Sequence, residues 1–281
     1  MTDTHLDAAS ARSARTAIVT GASTGIGRAT AEALAKAGFT VFGTSRSARN
    51  DGPSGVTMLT CDVTDDAAVH AMVAAVVSQT GRIDILVNNA GLGQIGAAEE
   101  SSIAQVQGLF DVNLFGVVRV TNAVLPVMRQ RGEGRIINLS SVLGLIPAPF
   151  SAYYSATKHA LEGYSESLDH EVRVFNIRVS LIEPAFTRSV FDQNALEPDV
   201  PLNVYDQART GARALLHDVM PVADPPEIVA RAVVQAATAA RPRRRYTAGK
   251  LARQISLLRR FAPAGIFDKS LRKQLRLSAA S

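Results

Sequence analysis

Apolar residues recur along this chain in two alternating rhythms. Short β-branched runs, bounded by glycine or polar residues, read as buried strands over residues 16–20, 40–44, 55–60, 83–87, 135–139 and 177–182. Between and around them, residues 28–37, 65–80, 102–131 and 152–174 have helical length and helical spacing of apolar positions. Strand–helix alternation of this kind predicts an α/β fold: a doubly wound parallel sheet with helices on both faces. Ligands of such sheets bind beyond the carboxyl ends of the strands. The residues to inspect are therefore Gly21, Arg46, Asp62, Asn89, Ser141 and Pro184, one after each strand. No internal repeat or low-complexity linker interrupts the body. One domain is expected over residues 16–240, with a flexible leader over 1–15 and an extension over 241–281.

Chemistry enters at the first turn. The first strand runs into Gly21-Ala-Ser-Thr-Gly25-Ile-Gly27, and a helix follows. Strand, glycine turn and helix form the first half of a dinucleotide-binding unit. Its glycines allow a tight turn and close backbone approach to a pyrophosphate, which sits on the helix N-terminus. Gly21, Ser23, Thr24, Gly25, Ile26 and Gly27 are the candidate contacts. A second constellation lies in Ser151-Ala-Tyr-Tyr-Ser-Ala-Thr-Lys158, where Tyr154 and Lys158 share one helical face, with Ser141 thirteen residues upstream of Tyr154. A free phenol has a pKa of about 10. An ammonium one turn away stabilises the phenolate, and a nearby serine hydroxyl can hold a carbonyl or alcohol oxygen for proton transfer. Tyr153 has Thr157 four residues on, which bears no cation, so Tyr154 is the acid/base candidate.

The pattern Thr-Gly-x-x-x-Gly-x-Gly over residues 20–27, Asn88-Asn-Ala-Gly91, and the ordered set Asn113, Ser141, Tyr154 and Lys158 resemble the short-chain dehydrogenase/reductase family over roughly residues 15–240. The glycine spacing is that of the shorter oxidoreductase type, not the longer epimerase and dehydratase type. The resemblance implies a Rossmann-like fold and hydride transfer between a nicotinamide cofactor and a carbonyl or alcohol carbon. It also implies roles. Tyr154 transfers the proton, while Ser141, favoured over Ser140 by family spacing, positions the oxygen. Lys158 binds ribose and depresses the tyrosine pKa, and the counterpart of Asn113 holds a water that relays protons through the lysine. Asp62, followed by Val63, matches an acidic residue near the adenine amino group; its other reading is an ordinary helix N-terminal residue. Asn89, Ala90 and Gly91 border the adenosine ribose, and Asn88 is a strand-end residue. Pro184 matches a Pro-Gly turn beside the nicotinamide, with Ala185 in place of the glycine. Thr187 and Ser189 both stand as candidates to touch the carboxamide.

Cofactor choice turns on the end of the second strand. A carboxylate there would bind an adenosine ribose and repel a 2′-phosphate. This chain has Ser45 and Arg46 instead, a hydroxyl donor and a guanidinium suited to phosphate, resembling members that use NADP (NADPH). Arg28 and Arg49 add positive field. In the family, the stretch after Pro184 closes over substrate. Here residues 186–226 carry Phe186, Val190, Phe191, Leu196, Val200, Leu202, Val204 and Tyr205, which suits a lid over an apolar ketone or alcohol. A homodimer or homotetramer is expected. The alternative is a catalytically silent cofactor-binding regulator on the same fold; Tyr154 and Lys158 together argue against it.

Composition adds context. An apolar content of 47% in 281 residues suffices for a large core. The single cysteine, Cys61, excludes an internal disulfide, fits a reducing compartment and reads as strand-end packing. No secretory segment or run of membrane-span length is evident, so a cytoplasmic protein is expected. None of the five histidines has metal-ligand spacing, so no metal is expected. The net charge of +5 is unevenly divided: residues 241–281 carry twelve Lys/Arg against Asp268, leaving −6 for the rest. In that basic tail Leu251, Ile255 and Leu258 fall near one helical face, and residues 271–277 repeat the theme. Such a helix either packs on the body or lies in a membrane interface. No nucleic-acid reader motif accompanies the charge, so no nucleic-acid partner is expected.

Overall fold

The computed structural model describes residues 14–47, 52–189, 191, 194–263 and 265–269. Most of the expected leader, Arg49, Val190 and the repeat at 271–277 lie outside the described residues. Seven strands form one parallel sheet: β1 (Thr16–Val19), β2 (Thr40–Ser45), β3 (Val56–Thr60), β4 (Ile85–Asn88), β5 (Gly134–Leu139), β6 (Ile177–Pro184) and β7 (Arg245–Ala248). Their order is β3-β2-β1-β4-β5-β6-β7. The chain leaves β1 toward one edge and returns to β4 for the other, so the switch point lies between these two strands, where crossovers diverge and a cleft opens.

Side-chain alternation along each strand feeds two cores. Ala17 and Val19 face one layer and Ile18 the other. The first layer holds α1 (Gly25–Lys36) and α7 (Pro226–Thr238), with Leu34 and Val233 fully buried against the sheet. The second holds α2 (Asp66–Thr80), α4 (Gly116–Arg131) and α5 (Ala152–Val172), through Met72, Val120, Val124 and Leu168. Asp65 caps α2, accepting from the amides of Ala67 and Ala68. α6 (Asp206–Val219) and α8 (Lys250–Phe261) lie at the cleft.

Three expectations need correction. The helix expected over 102–131 is α3 (Ile103–Phe110), then a wider π-helical turn over Asp111–Phe115, then α4. The extra residue per turn changes no apolar spacing that a sequence reading could detect. This same stretch, Ile103–Arg131, is in fact long and apolar enough to cross a membrane by length and hydropathy. Here it carries Arg119, paired with Asp66 and Asp111, and buries Val117, Val120 and Val124 in the protein core. Finally, the sheet does not stop before residue 241. β7 comes from inside the expected extension and pairs with β6 from Leu181↔Arg245 to Pro184↔Ala248.

Candidate active site

The turn after β1 is built for close approach. Gly21 (φ 65°) and Gly25 (φ 54°) occupy the left-handed region that other residues avoid. A Cβ on Gly27 would collide with the Gly21 carbonyl oxygen. Thr24 stands at the N-cap of α1 without a side-chain capping bond, which leaves the first-turn amides open to the cleft. Across the switch point, Asn89 donates from its amide to the carbonyls of Thr20 (2.9 Å) and Gly21 (3.1 Å). Thr20 Oγ1 in return accepts from the backbone of Asn89 (2.9 Å) and Ala90 (3.0 Å). Asn89 thus fixes the glycine turn against β4. Asn88 points into the core, donating to Thr121 and Asn138.

Ser23, Ile26, Ala90 and Gly91 border the same cleft, which has a volume of about 1720 Å³. Free first-turn amides, left-handed glycines and a cleft of this size fit a dinucleotide. At one end lie Ser45 and Arg46, with Ser45 Oγ donating to the Ser47 carbonyl. Asp62 accepts from the Thr64 amide (2.9 Å) and hydroxyl (2.8 Å). The Thr64 amide holds its carboxyl below the usual range, and Arg46 contributes to this. Asp65, not Asp62, is the helix cap, so the ordinary helix N-terminal reading of Asp62 falls away. Val63 is buried and packs close to Gly116. Burial, reinforced by Asp62 and Asp65, pushes the Cys61 thiol up to about 11, which makes it unreactive.

At the other end, Ser141, Tyr154 and Lys158 border the cleft together. Lys158 is buried and donates from Nζ to the Leu139 carbonyl at 2.7 Å. Its nitrogen stands 5.6 Å from the centroid of the Tyr154 ring. Burial lowers its pKa to about 8, and the Glu162 carboxylate opposes that drop. Ser141 Oγ accepts from the Leu143 amide at 3.1 Å. Phe191 packs on Tyr154 with ring centroids 5.8 Å apart. Tyr153, by contrast, turns away and donates its hydroxyl to the Ala98 carbonyl. Asn113 lies buried in the π-helical turn, where its amide meets Leu92 and Thr157.

Pro184 at the end of β6, with Ala185 and Thr187 beyond it, lines the cleft, and buried Thr187 donates to the Ala185 carbonyl at 3.3 Å. Ser189 also borders it, packed against Gly25. Small and apolar residues of α6, including Ala208, Gly211 and Leu215, form an apolar wall of the cleft. Leu251 and Ile255 of α8 complete that wall. Of the three tail residues grouped on one face, Leu258 is 40% exposed and does not join them.

Sequence reasoning overlooked two buried ionic groups. Glu100 accepts from the amides of Ala97 and Leu202 and pairs with Arg209, tying α6 to the loop after β4. Glu162 and Glu183 meet Arg245 behind the lysine. The four-residue steps from Lys158 to Glu162 and Glu166 were a visible signal for the second group. A pairing 109 residues apart left no such trace for the first.

Residues 15–199 match the family model described as short chain dehydrogenase. A 3-ketodihydrosphingosine reductase of Bacteroides thetaiotaomicron is 44% identical over 178 residues, covering 63% of this chain and 65% of that relative. Retinol dehydrogenase 8 of Bos taurus is 35% identical over 252 residues, covering 81% of this chain and 79% of the relative. A solved short-chain dehydrogenase from Streptomyces avermitilis superposes with a TM-score of 0.78 at 34% identity, covering 94% and 95% of the two chains. Similar solved structures include complexes with NAD and with NADP. The chain therefore belongs to the short-chain dehydrogenase/reductase family of NAD(P)-linked oxidoreductases.

Proposed function

We propose that this protein is an NADP(H)-dependent oxidoreductase acting on the carbonyl or secondary alcohol of an apolar small molecule. The observation that carries this reading is the meeting of Tyr154 with buried Lys158, 5.6 Å from ring centroid to nitrogen, in the cleft that the glycine turn enters. The nicotinamide supplies or accepts the hydride. Tyr154 gives its phenolic proton to the substrate oxygen in reduction and takes it back in oxidation. Lys158 favours the phenolate by its charge and would hold the cofactor ribose. Ser141 donates to the substrate oxygen and holds it beside Tyr154. Asn113 braces the loop that faces them.

NADP is favoured over NAD by chemistry at one position. The strand end that would need a carboxylate for the adenosine ribose carries Ser45, and the next residue is Arg46. An apolar substrate is favoured by the walls of α6 and α8. Two relatives are named for lipid-like substrates, a ketodihydrosphingosine and a retinol, in line with such walls. We also propose peripheral membrane contact through α8, whose Leu257, Leu258 and Phe261 are exposed among Arg253, Arg259 and Arg260.

The test is a screen of long-chain ketones, aldehydes and secondary alcohols with NADP(H) and NAD(H), following absorbance of the reduced nicotinamide. Turnover of apolar carbonyls with NADPH is the expected result. Turnover confined to small polar substrates, or to NAD(H), would overturn the assignment.

A further inference from the structure

Behind Lys158 lies a group of charges that the chemistry above does not use. Lys158, Glu162 and Glu166 follow one another at four-residue steps on α5. Glu162 accepts the Ser140 hydroxyl on Oε1 and binds Arg245 through Oε2, at 3.0 Å from Nε and 2.8 Å from Nη2. Arg245 also reaches Glu166 (2.6 Å) and lies 2.9 Å from Glu183 Oε1. One guanidinium thus serves three carboxylates, and two of these, Glu162 and Glu183, are buried. Burial and the Glu162 charge push Glu183 up to about 7, although Arg245 opposes the rise. Burial pushes Glu162 up as well, and two buried carboxylates on one guanidinium cost stability, so stability alone does not explain the group.

The location gives the excess charge a use. Ser140 immediately precedes Ser141, and Leu139, which accepts from Lys158, precedes Ser140. Glu162 therefore grips the strand end between the points that Lys158 and Ser141 depend on. We propose that Glu162 is a positioning residue for the active site: through Ser140 it fixes the strand end that carries Ser141, and it supplies a fixed negative charge to Lys158. Arg245, from β7, holds that carboxylate in place. The inference rests on Tyr154 and Lys158 being the acid/base pair.

The charged groups facing Glu162 are Lys158 and Glu166 on its own helix, Glu183 on β6 and Arg245 on β7. Removing its charge lets Lys158 release its proton at lower pH, because the lysine loses the carboxylate that favours its protonated form. A neutral Lys158 no longer favours the phenolate of Tyr154, so that phenolate then forms at higher pH.

The decisive titration needs neither substrate nor cofactor, and turnover of an apolar carbonyl with NADPH is read beside it. Phenolate absorbance is titrated in the full chain, and the curve of Tyr154→Phe is subtracted. Glu162→Gln keeps an acceptor for Ser140 and leaves Arg245 with two carboxylates; by weakening the charge on Lys158 it should raise the pH at which the phenolate forms. Ser140→Ala keeps the charge and should titrate as the parent while kcat falls with KM little changed. Glu162→Asp keeps the charge but withdraws it from Ser140, so it should match Ser140→Ala in both respects. The proposal fails if Glu162→Gln titrates like the parent, or if Ser140→Ala moves the ionisation equally. A parent curve in which Tyr154 titrates like a free phenol would instead sink the acid/base reading itself.

Discussion

Asn113 and Leu92 hydrogen-bond each other twice. The Leu92 amide donates to Asn113 Oδ1 at 2.8 Å, and Asn113 Nδ2 donates back to the Leu92 carbonyl at 2.8 Å. The same Nδ2 reaches Thr157 Oγ1 at 3.2 Å, whose hydroxyl donates to the Tyr154 carbonyl at 2.8 Å. One buried side chain thereby ties the loop after β4 to the first turn of α5, where Tyr154 sits. The π-helical turn explains how a residue with mediocre helix propensity is held there: its side chain, not its backbone preference, is satisfied.

Asn113→Asp tests this brace. The variant replaces a donor with an acceptor facing the Leu92 carbonyl, in a site closed to water. A buried unsatisfied group costs about 1–3 kcal/mol, or a fall in Tm of about 4–8 °C near the middle of that range for a protein of this size. Turnover should fall with it, since Tyr154 loses its fixed distance from the loop. Thermal unfolding and initial rates check both. An unchanged Tm would show that the paired bonds carry no weight.

Tyr154→Phe removes the phenolic oxygen and keeps the ring. The ring keeps its packing against Phe191, and Lys158 keeps its bond to the Leu139 carbonyl. Turnover is expected to vanish while NADP(H) binding, measured by titration, stays within about twofold. A near-parental rate would remove Tyr154 from the chemistry.

Arg46→Ala should weaken NADP(H) far more than NAD(H), because only the former presents the 2′-phosphate to a guanidinium. A charge-assisted contact of this type contributes roughly 1.5–3 kcal/mol, which is about tenfold to over a hundredfold in affinity. Dissociation constants for the two cofactors provide the check. Equal weakening of both, or a parental preference for NAD(H), would place the phosphate elsewhere.

Most of the frame and the local spacings of the candidate site were legible in the sequence, and for a physical reason. Gly21, Gly25, Tyr154 and Lys158 are spaced by local rules, a turn and a helical repeat, which survive in a linear reading. The first six strands announce themselves as apolar runs, and their bounds fall within two residues of the expected ones. β7 does not, because its four residues follow Arg243 and Arg244 and begin with a third arginine; only Tyr246 and Ala248 turn inward. The charge that made residues 241–281 look like an appendage belongs in part to the sheet edge, where Arg245 faces three carboxylates. Neither Glu100–Arg209 nor Glu162–Arg245 could be paired from sequence, because both join distant segments through the fold.

That placement of β7 also decides how the tail must be tested. Cutting before Arg241 would strip a strand from the sheet and release Glu162, so loss of function would say nothing about a membrane. A chain ending at Gly249 keeps β7 and removes α8. Full-length protein should bind vesicles containing anionic phospholipid at low salt, because exposed Leu257, Leu258 and Phe261 accompany a cluster of arginines. Binding should weaken as salt screens the attraction, and the shortened chain should bind little at any salt. Because Leu251 and Ile255 belong to the apolar wall of the cleft, the same cut should raise KM for a long apolar substrate more than it lowers kcat. Sedimentation with vesicles and initial rates are read separately. If the intact chain ignores anionic vesicles at low salt while the cut still raises KM, α8 is a wall of the cleft and not a membrane contact.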